Sequence, residues 1–436
     1  MMKKDLLSLD GVTEKVADLI GTSRYERLVS SLAEAVGSVS KATKRGSGEA
    51  LSAMVLSKLD SDALSRFAKS KELIYVSATN GKTTTTAMIT AVLGGSDAVI
   101  TNKAGNNMTA GVTFALSRAG ERNLAVLEVD ESHLPIVSKR APATSYVLMN
   151  LSRDQLDRVS EVRSIAEKWR TMLASNPSAR VYANVSDPHI AYVVRDHSDV
   201  VSFEVGSRWN LDATVCPICE SKVDFREDIG DYHCVSCDFG KPKSSYVFMG
   251  DELYRGGKLV AIIKTSLPGN FNLMNAAVAT IVGVERGISF EAIESALTTL
   301  SGVGGRYSIY KVSGRFVTAF MAKNPAGWQQ IIEMLSDSTQ PLIIGINANV
   351  ADGKDTSWLY DIDFSPFGDR EVVVVGERRY DIAVRLSYGG VSHRVVDTYG
   401  EAINSFEEGS EITYVGNYTE FSSALRYLNE VGEEIK

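Results

Sequence analysis

Apolar residues recur at helical spacing early in the chain, in Leu28, Leu32 and Val36 and again in Leu51, Met54, Val55 and Leu59, with the polar, glycine-containing stretch 41–48 between them. Intervals of three and four put such residues on one helical face, so residues 1–70 are expected to form a helical lead-in. From Leu73 the pattern changes. Short β-rich runs at 73–76, 124–129, 145–151 and 181–183 read as strands, with helices between them. Strands alternating with helices predict an α/β fold built on a mostly parallel, covered sheet.

Residues from about 210 to 243 break this alternation, and 247–263 then reads as antiparallel strands turning at Gly256-Gly257. A helix over 272–286, a glycine-rich turn at 302–305 and strands at 342–346, 371–375 and 411–414 follow. The expected organisation is therefore a lead-in (1–70), a central domain (71–303) carrying an insertion at about 210–243, and a C-terminal, Rossmann-like α/β domain (304–436). A chain of 436 residues with 44% hydrophobic content can bury that many cores.

Charge narrows the partners. A net charge of −8 without any basic block argues against a general nucleic-acid or anionic-membrane binder. Residues 1–20 mix charged and apolar positions and build no apolar h-region, so neither a signal peptide nor a membrane span is expected, which suggests a cytoplasmic protein.

The strand at 73–76 runs into Ala78-Thr79-Asn80-Gly81-Lys82-Thr83-Thr84 and then into a helix expected over 85–93. That is the strand, loop and helix setting of a P-loop. Backbone N–H groups at the helix start meet phosphate, Gly81 permits close approach, Lys82 supplies a point charge, and the Thr83 hydroxyl suits Mg²⁺, which points to bound ATP. Val76 stands where the general pattern asks for its first glycine, so the loop is a shortened variant. The next strand ends in Glu128-Val129-Asp130-Glu131, where Glu128 is the first candidate Mg²⁺ ligand and Glu131 the second; a solvated acidic turn is the alternative.

All four cysteines fall in two Cys-x-x-Cys pairs, Cys216 with Cys219 and Cys234 with Cys237, separated by fourteen residues. Four thiolates so spaced can close a tetrahedron around a structural Zn²⁺. His233 is a competing ligand, and a redox pair is the alternative reading.

Taken in order, the Thr79–Thr83 loop, Asn102 with Gly105-Asn106-Asn107, Glu128, Asn150 with Arg153-Asp154-Gln155-Leu156-Asp157, Asn184 with Asp187-Pro188, Asn272 with Asn275, Gly305-Arg306 and Asn324-Pro325 resemble the Mur ligase family. Within it the likeness is to the MurT branch, because only some seventy residues precede the loop, a four-cysteine segment interrupts the central domain, and Ala351-Asp352-Gly353-Lys354-Asp355-Thr356-Ser357-Trp358 resembles a MurT C-terminal motif. The chain departs from the family at Ala78, where glycine is usual, at Lys323, where many members carry histidine, and at Asn347-Ala348-Asn349, which lacks an acid.

The resemblance implies MgATP-dependent amidation of the α-carboxylate of D-glutamate in lipid II or a related muropeptide through an acyl phosphate. It also implies a GatD-type glutamine amidotransferase as partner, whose Cys-His pair an acid of this chain completes: Asp355 first, Asp352 second, each otherwise a turn acid. Arg306 becomes the candidate cation on the transferred phosphoryl, or else an exposed arginine. Asn275, with Asn272, is expected at the adenine, a helix-capping amide being the other reading. Lys168 lies near the place of a carbamylated lysine, with a surface lysine as the alternative and Trp169 as the competing position. A self-contained amino-acid ligase of the Mur or folylpolyglutamate type and a nucleotide-switched zinc-ribbon binding protein are the competing functions.

Overall fold

In the computed structural model the described residues are 31, 35, 49–102, 106–153, 161–206, 209–226, 230–300, 307–336, 338–350 and 352–435. Most of the expected lead-in lies outside them. Its described end forms α1 (Glu49–Leu59) and α2 (Ala63–Ala68), whose Leu56, Leu64 and Phe67 enter the same core as Tyr75, Leu127 and Trp169 of the sheet layer that follows. These helices thus pack onto the central domain.

The strand β1 (Glu72–Ser77) explains why its sequence is apolar without alternation: Leu73 and Tyr75 face one core, Ile74 and Val76 the other, and both are buried. Then come α3 (Lys82–Val92), β2 (Val99–Ile100), α4 (Thr109–Ser117), β3 (Leu124–Glu128), α5 (Leu134–Arg140), β4 (Ser145–Leu148), α6 (Glu161–Ala174), β5 (Arg180–Asn184), α7 (Pro188–Val194) and β6 (Val200–Glu204). Among the described residues these strands pair in parallel in the order β6-β5-β4-β1-β3-β2. β1 lies between β3 and β4, so the order reverses at its carboxyl end and opens a crevice there.

The insertion contributes an antiparallel pair, β7 (Val223–Arg226) and β8 (Asp231–Cys234). Its Tyr232 is buried, donates its hydroxyl to the Val185 carbonyl at 3.0 Å, and joins the central core together with Phe239. The insertion is docked on the domain rather than free-standing. Beyond it, β9 (Tyr246–Met249), β10 (Glu252–Arg255) and β11 (Lys258–Ile262) extend the central sheet, and the last two turn at Gly256-Gly257, both at positive φ as a two-residue hairpin requires. Helices α8 (Asn270–Glu285) and α9 (Phe290–Thr299) cover the face that α3 also covers.

The C-terminal part holds β12 (Tyr307–Val312), β13 (Arg315–Met321), α10 (Pro325–Leu335), β14 (Leu342–Gly345), β15 (Val372–Val375), α11 (Arg379–Tyr388), β16 (His393–Val395), α12 (Tyr399–Asn404), β17 (Glu411–Gly416), α13 (Tyr418–Val431) and β18 (Glu433–Glu434). Its sheet runs β16-β15-β14-β17-β13-β12-β18, parallel from β16 to β13. Two boundaries differ from expectation by three residues. Helix α3 starts at Lys82, three residues before the expected 85, because Gly81 at φ +84° caps it in a left-handed conformation. β4 stops at Leu148 rather than 151 because Asn150 turns away to bind the loop after β1.

Candidate functional site

The loop after β1 is clamped by its neighbours in the chain. Asn150 accepts the Asn80 backbone N–H at 2.9 Å and donates back to the Asn80 carbonyl at 3.0 Å, while the Thr79 hydroxyl pairs with the backbone of Ser152. Gly81 then delivers the chain into α3, so the helix N-terminus, with its uncompensated N–H groups, opens into the crevice. No side chain fits at Gly81: a Cβ there would lie 2.7 Å from Asn275 Oδ1. Ala78, by contrast, is buried in the core and is not among the left-handed residues, so glycine is not required at that place.

The two candidate acids take different partners. Glu128 Oε2 accepts the Thr83 hydroxyl at 2.9 Å and Oε1 accepts the Asn107 amide at 3.0 Å. Asn102 fixes the Glu128 backbone with paired 2.8 Å bonds and ties it to the Asn106 carbonyl. Glu131 instead meets Lys82 Nζ at 2.7 Å, both side chains nearly inaccessible. A buried ammonium stays charged only if paired in this way. The Glu128 carboxylate and Thr83 hydroxyl thus converge at a helix start and form an oxygen donor pair suited to Mg²⁺, which keeps several waters and takes few protein ligands. The solvated-turn reading of the acids does not fit, since Glu128 is only 2% exposed.

Beside the loop lies a cavity of about 310 Å³ walled by Asn80, Asn275 and Trp209 on one side and by Phe271, Lys323 and Met334 toward the C-terminal domain. Asn275 is on α8 and accepts the Thr85 hydroxyl at 3.2 Å, so it locks α8 to the loop as well as facing the cavity. Asn272 does the local work expected of the other amide, donating to the Pro268 carbonyl at 2.6 Å. Asp187, buried in the wall, accepts the backbone N–H groups of Leu151, His189 and Ile190; burial still pushes its carboxyl above the ordinary range.

Lys168 is exposed on α6, whereas Trp169 is buried and donates its indole N–H to the Glu131 carbonyl at 2.9 Å. Lys168 thus faces solvent, while Trp169 supports the backbone of Glu131 from the core. Arg306, Gly105 and residues 154–157 lie outside the described residues.

Of the two acids of the C-terminal motif, Asp352 is engaged on both oxygens, accepting the Asn349 N–H, the Thr419 N–H at 2.8 Å and the Thr419 hydroxyl. Asp355 is exposed, and its Oδ1 accepts the Ser357 N–H at 2.8 Å, which starts the helical turn Ser357–Asp361. Neither acid lies among the residues that wall the nucleotide cavity.

The ligand atoms of Cys216, Cys219, Cys234 and Cys237 all lie within 4.8 Å of one another. The Sγ separations of 3.7 Å for Cys216 with Cys237 and 3.4 Å for Cys219 with Cys234 are far too long for disulfides and near the ~3.8 Å expected around tetrahedral Zn²⁺. The backbone N–H of Ser221 lowers the Cys219 thiol to about 6, whereas burial raises that of Cys216 and burial with the neighbouring thiols pushes Cys237 up to about 12. His233 points its backbone into β8 and does not join the cluster.

Sequence reasoning missed Trp209 and Phe271 in the cavity wall and the ion pairs of Arg153. No periodicity marks such residues, because each acts through the tertiary neighbours it meets.

Residues 76–283 match the family described as Mur ligase middle domain, and residues 321–421 match the family described as MurT ligase C-terminal. The chain belongs to the Mur ligase family. Its curated relatives include the lipid II isoglutaminyl synthase (glutamine-hydrolyzing) subunit MurT of Staphylococcus aureus, 28% identical over 88% of this chain and 93% of the relative. The MurT subunit of Streptococcus pneumoniae is 28% identical over 80% of this chain and 84% of its own length. The fold matches a type C pseudomurein peptide ligase from Methanothermus fervidus at TM-score 0.62, with 17% identity and 83% and 79% of the two chains covered. It also matches MurF ligase from Thermotoga maritima, solved in complex with ADP, at TM-score 0.59, with 16% identity and 87% and 84% covered.

Proposed function

We propose that this chain is the synthase subunit of a lipid II isoglutaminyl synthase, converting the α-carboxylate of D-glutamate in the peptidoglycan stem peptide to the amide of D-isoglutamine. One observation carries the reading: a phosphate crevice with paired buried acids and an exposed acid, Asp355, on a MurT-type domain share a chain whose four cysteines are all gathered in one cluster. Such a chain can activate a carboxylate but has no thiol left to hydrolyse glutamine. Ammonia is then delivered by a GatD-type glutamine amidotransferase, with Asp355 facing that partner's Cys-His pair; Asp352, already committed to Thr419, ranks second.

The chemistry follows from a carboxylate being a poor electrophile. Its oxygen attacks the γ-phosphorus of ATP and ADP leaves; ammonia then adds to the acyl carbon, the C–O bond breaks, and phosphate departs with a proton released to solvent. Lys82 and the N–H groups of α3 hold the charge of the transferred phosphoryl. Thr83 and Glu128 would hold Mg²⁺, which supplies further neutralisation of phosphate charge. Lys323 brings a cation to the cavity from the C-terminal domain. The four cysteines would hold a structural Zn²⁺ that stabilises the insertion. No described helix is long and apolar enough to cross a membrane.

The test is to combine the chain with a purified GatD-type glutaminase, MgATP, glutamine and lipid II, and to follow the glutamate carboxylate by mass spectrometry. Conversion to amide is expected; an unchanged substrate mass would sink the proposal.

A further inference from the structure

Besides the core that Trp358 and Leu359 share with α10 and Phe271, a polar side chain ties the turn after Asp355 to the nucleotide crevice. Arg153 follows Asn150 and Ser152, both of which bind the phosphate loop. Its Nη2 reaches Asp361 Oδ2 at 3.2 Å, and Asp361 ends the helical turn Ser357–Asp361, whose first residue donates its N–H to Asp355. Arg153 is itself held rigidly: its backbone N–H donates to Asp212 Oδ2 at 3.0 Å and its Nε pairs with Asp212 Oδ1. The Asp212 side chain is only 4% exposed and accepts the Trp209 indole N–H at 2.6 Å, while its carbonyl meets His189 Nε2 at 3.0 Å.

The far end is equally braced. Thr356 donates to Asp381 at 3.1 Å, Arg385 donates to the carbonyls of Leu359 and Ile362, and the Tyr360 and Tyr388 rings meet at 6.3 Å. Thus the contact between Arg153 and Asp361 joins two stiff bodies, one set by the phosphate loop and the other presenting Asp355. A guanidinium fork fixed by one carboxylate and aimed at a second is a geometric constraint more than a source of stability, since the pair is partly solvated.

We infer that Arg153 is a positioning residue that sets the Asp355 turn against the nucleotide crevice, so that glutamine hydrolysis is productive only when the two domains stand in this arrangement. The inference rests on the proposed glutamine-dependent amidation, and it names the coupling element of that reaction.

The experiment compares wild type, Asp361→Asn and Asp361→Glu. In the complex with a purified GatD-type glutaminase, amide formation on lipid II is measured with glutamine and, separately, with ammonium chloride. Asp361→Asn is expected to lower the glutamine-driven rate about three- to tenfold while the ammonia-driven rate stays within about twofold, and Asp361→Glu restores most of the loss. Equal loss with both nitrogen sources, or no loss with either, overturns the inference. A second measurement needs no partner: hydrogen exchange of the chain alone. Asp361→Asn is expected to raise exchange in 150–153 as well as in 357–361; a rise confined to 357–361, or none, overturns it. If the wild-type complex makes no amide, the functional reading fails, while the exchange result still decides whether Arg153 couples the domains.

Discussion

The carboxyl ends of the two parallel sheets make an instructive pair. At the central one, the side chains that carry the loop's chemistry have partners within the chain, Lys82 with Glu131, Thr83 with Glu128 and Asn80 with Asn150, while the first N–H groups of α3 stay open to the crevice. At the C-terminal one, Asp352 is internally satisfied but Asp355 stands exposed and holds only one backbone N–H. A site that must neutralise a small, highly charged ligand is preorganised and buried. On the proposed reading, a site completed by another protein leaves its chemistry unfinished on the surface.

That contrast can be broken most sharply at its exposed end. Asp355→Asn is expected to cut glutamine-driven amidation by about 10⁴-fold, as loss of the acid from a catalytic triad does, while ammonia still supports turnover; equal rates with both nitrogen sources in this variant would refute the assignment. Lys82→Ala strikes the buried end and is expected to lower amide formation by about 10²–10³-fold whichever nitrogen source is used, measured as ADP release and product mass together. Gly81→Ala sharpens the argument for preorganisation: positive φ and the clash with Asn275 cost about 1–3 kcal/mol, read as a raised KM for ATP and a lower melting temperature. Chelation of the metal expected at Cys216, Cys219, Cys234 and Cys237 is predicted to lower the melting temperature by several degrees, restored by added Zn²⁺.

The smallest effect concerns Glu420, buried beneath the C-terminal strand ends and bonded to Tyr414 at 3.2 Å. Burial raises its carboxyl above the usual value of 4.5. The protonated form therefore contributes stability that is full below about pH 4.5 and is lost as pH climbs through the raised folded value. Glu420→Gln is expected to flatten the fall in melting temperature across that interval; an unchanged slope argues against the assignment.

Much of this was legible in the sequence for identifiable reasons. The runs in β1, β3, β14 and β15 are buried on both sides and read as apolar blocks, and Gly256-Gly257 announced its hairpin. The loop and the cysteine pairs are local in sequence, so spacing alone exposes them. β12 and β13 were not anticipated, because their faces are half-buried and their residues mixed. Nor could spacing separate the roles of Glu128 and Glu131, which depend on which of Thr83 and Lys82 each meets across the crevice.

Tyr232 closes the account of the cysteine insertion. Its hydroxyl bonds Val185, between the cavity-wall residues Asn184 and Asp187, and Asp187 in turn holds the Leu151 N–H beside Asn150. A metal held there would connect through β8 to the phosphate loop. If the four thiolates hold zinc and the proposed amidation is this chain's work, its competence follows the supply of that trace element: a cell starved of it would build a wall with fewer amidated stems before any shortage of ATP or glutamine was felt.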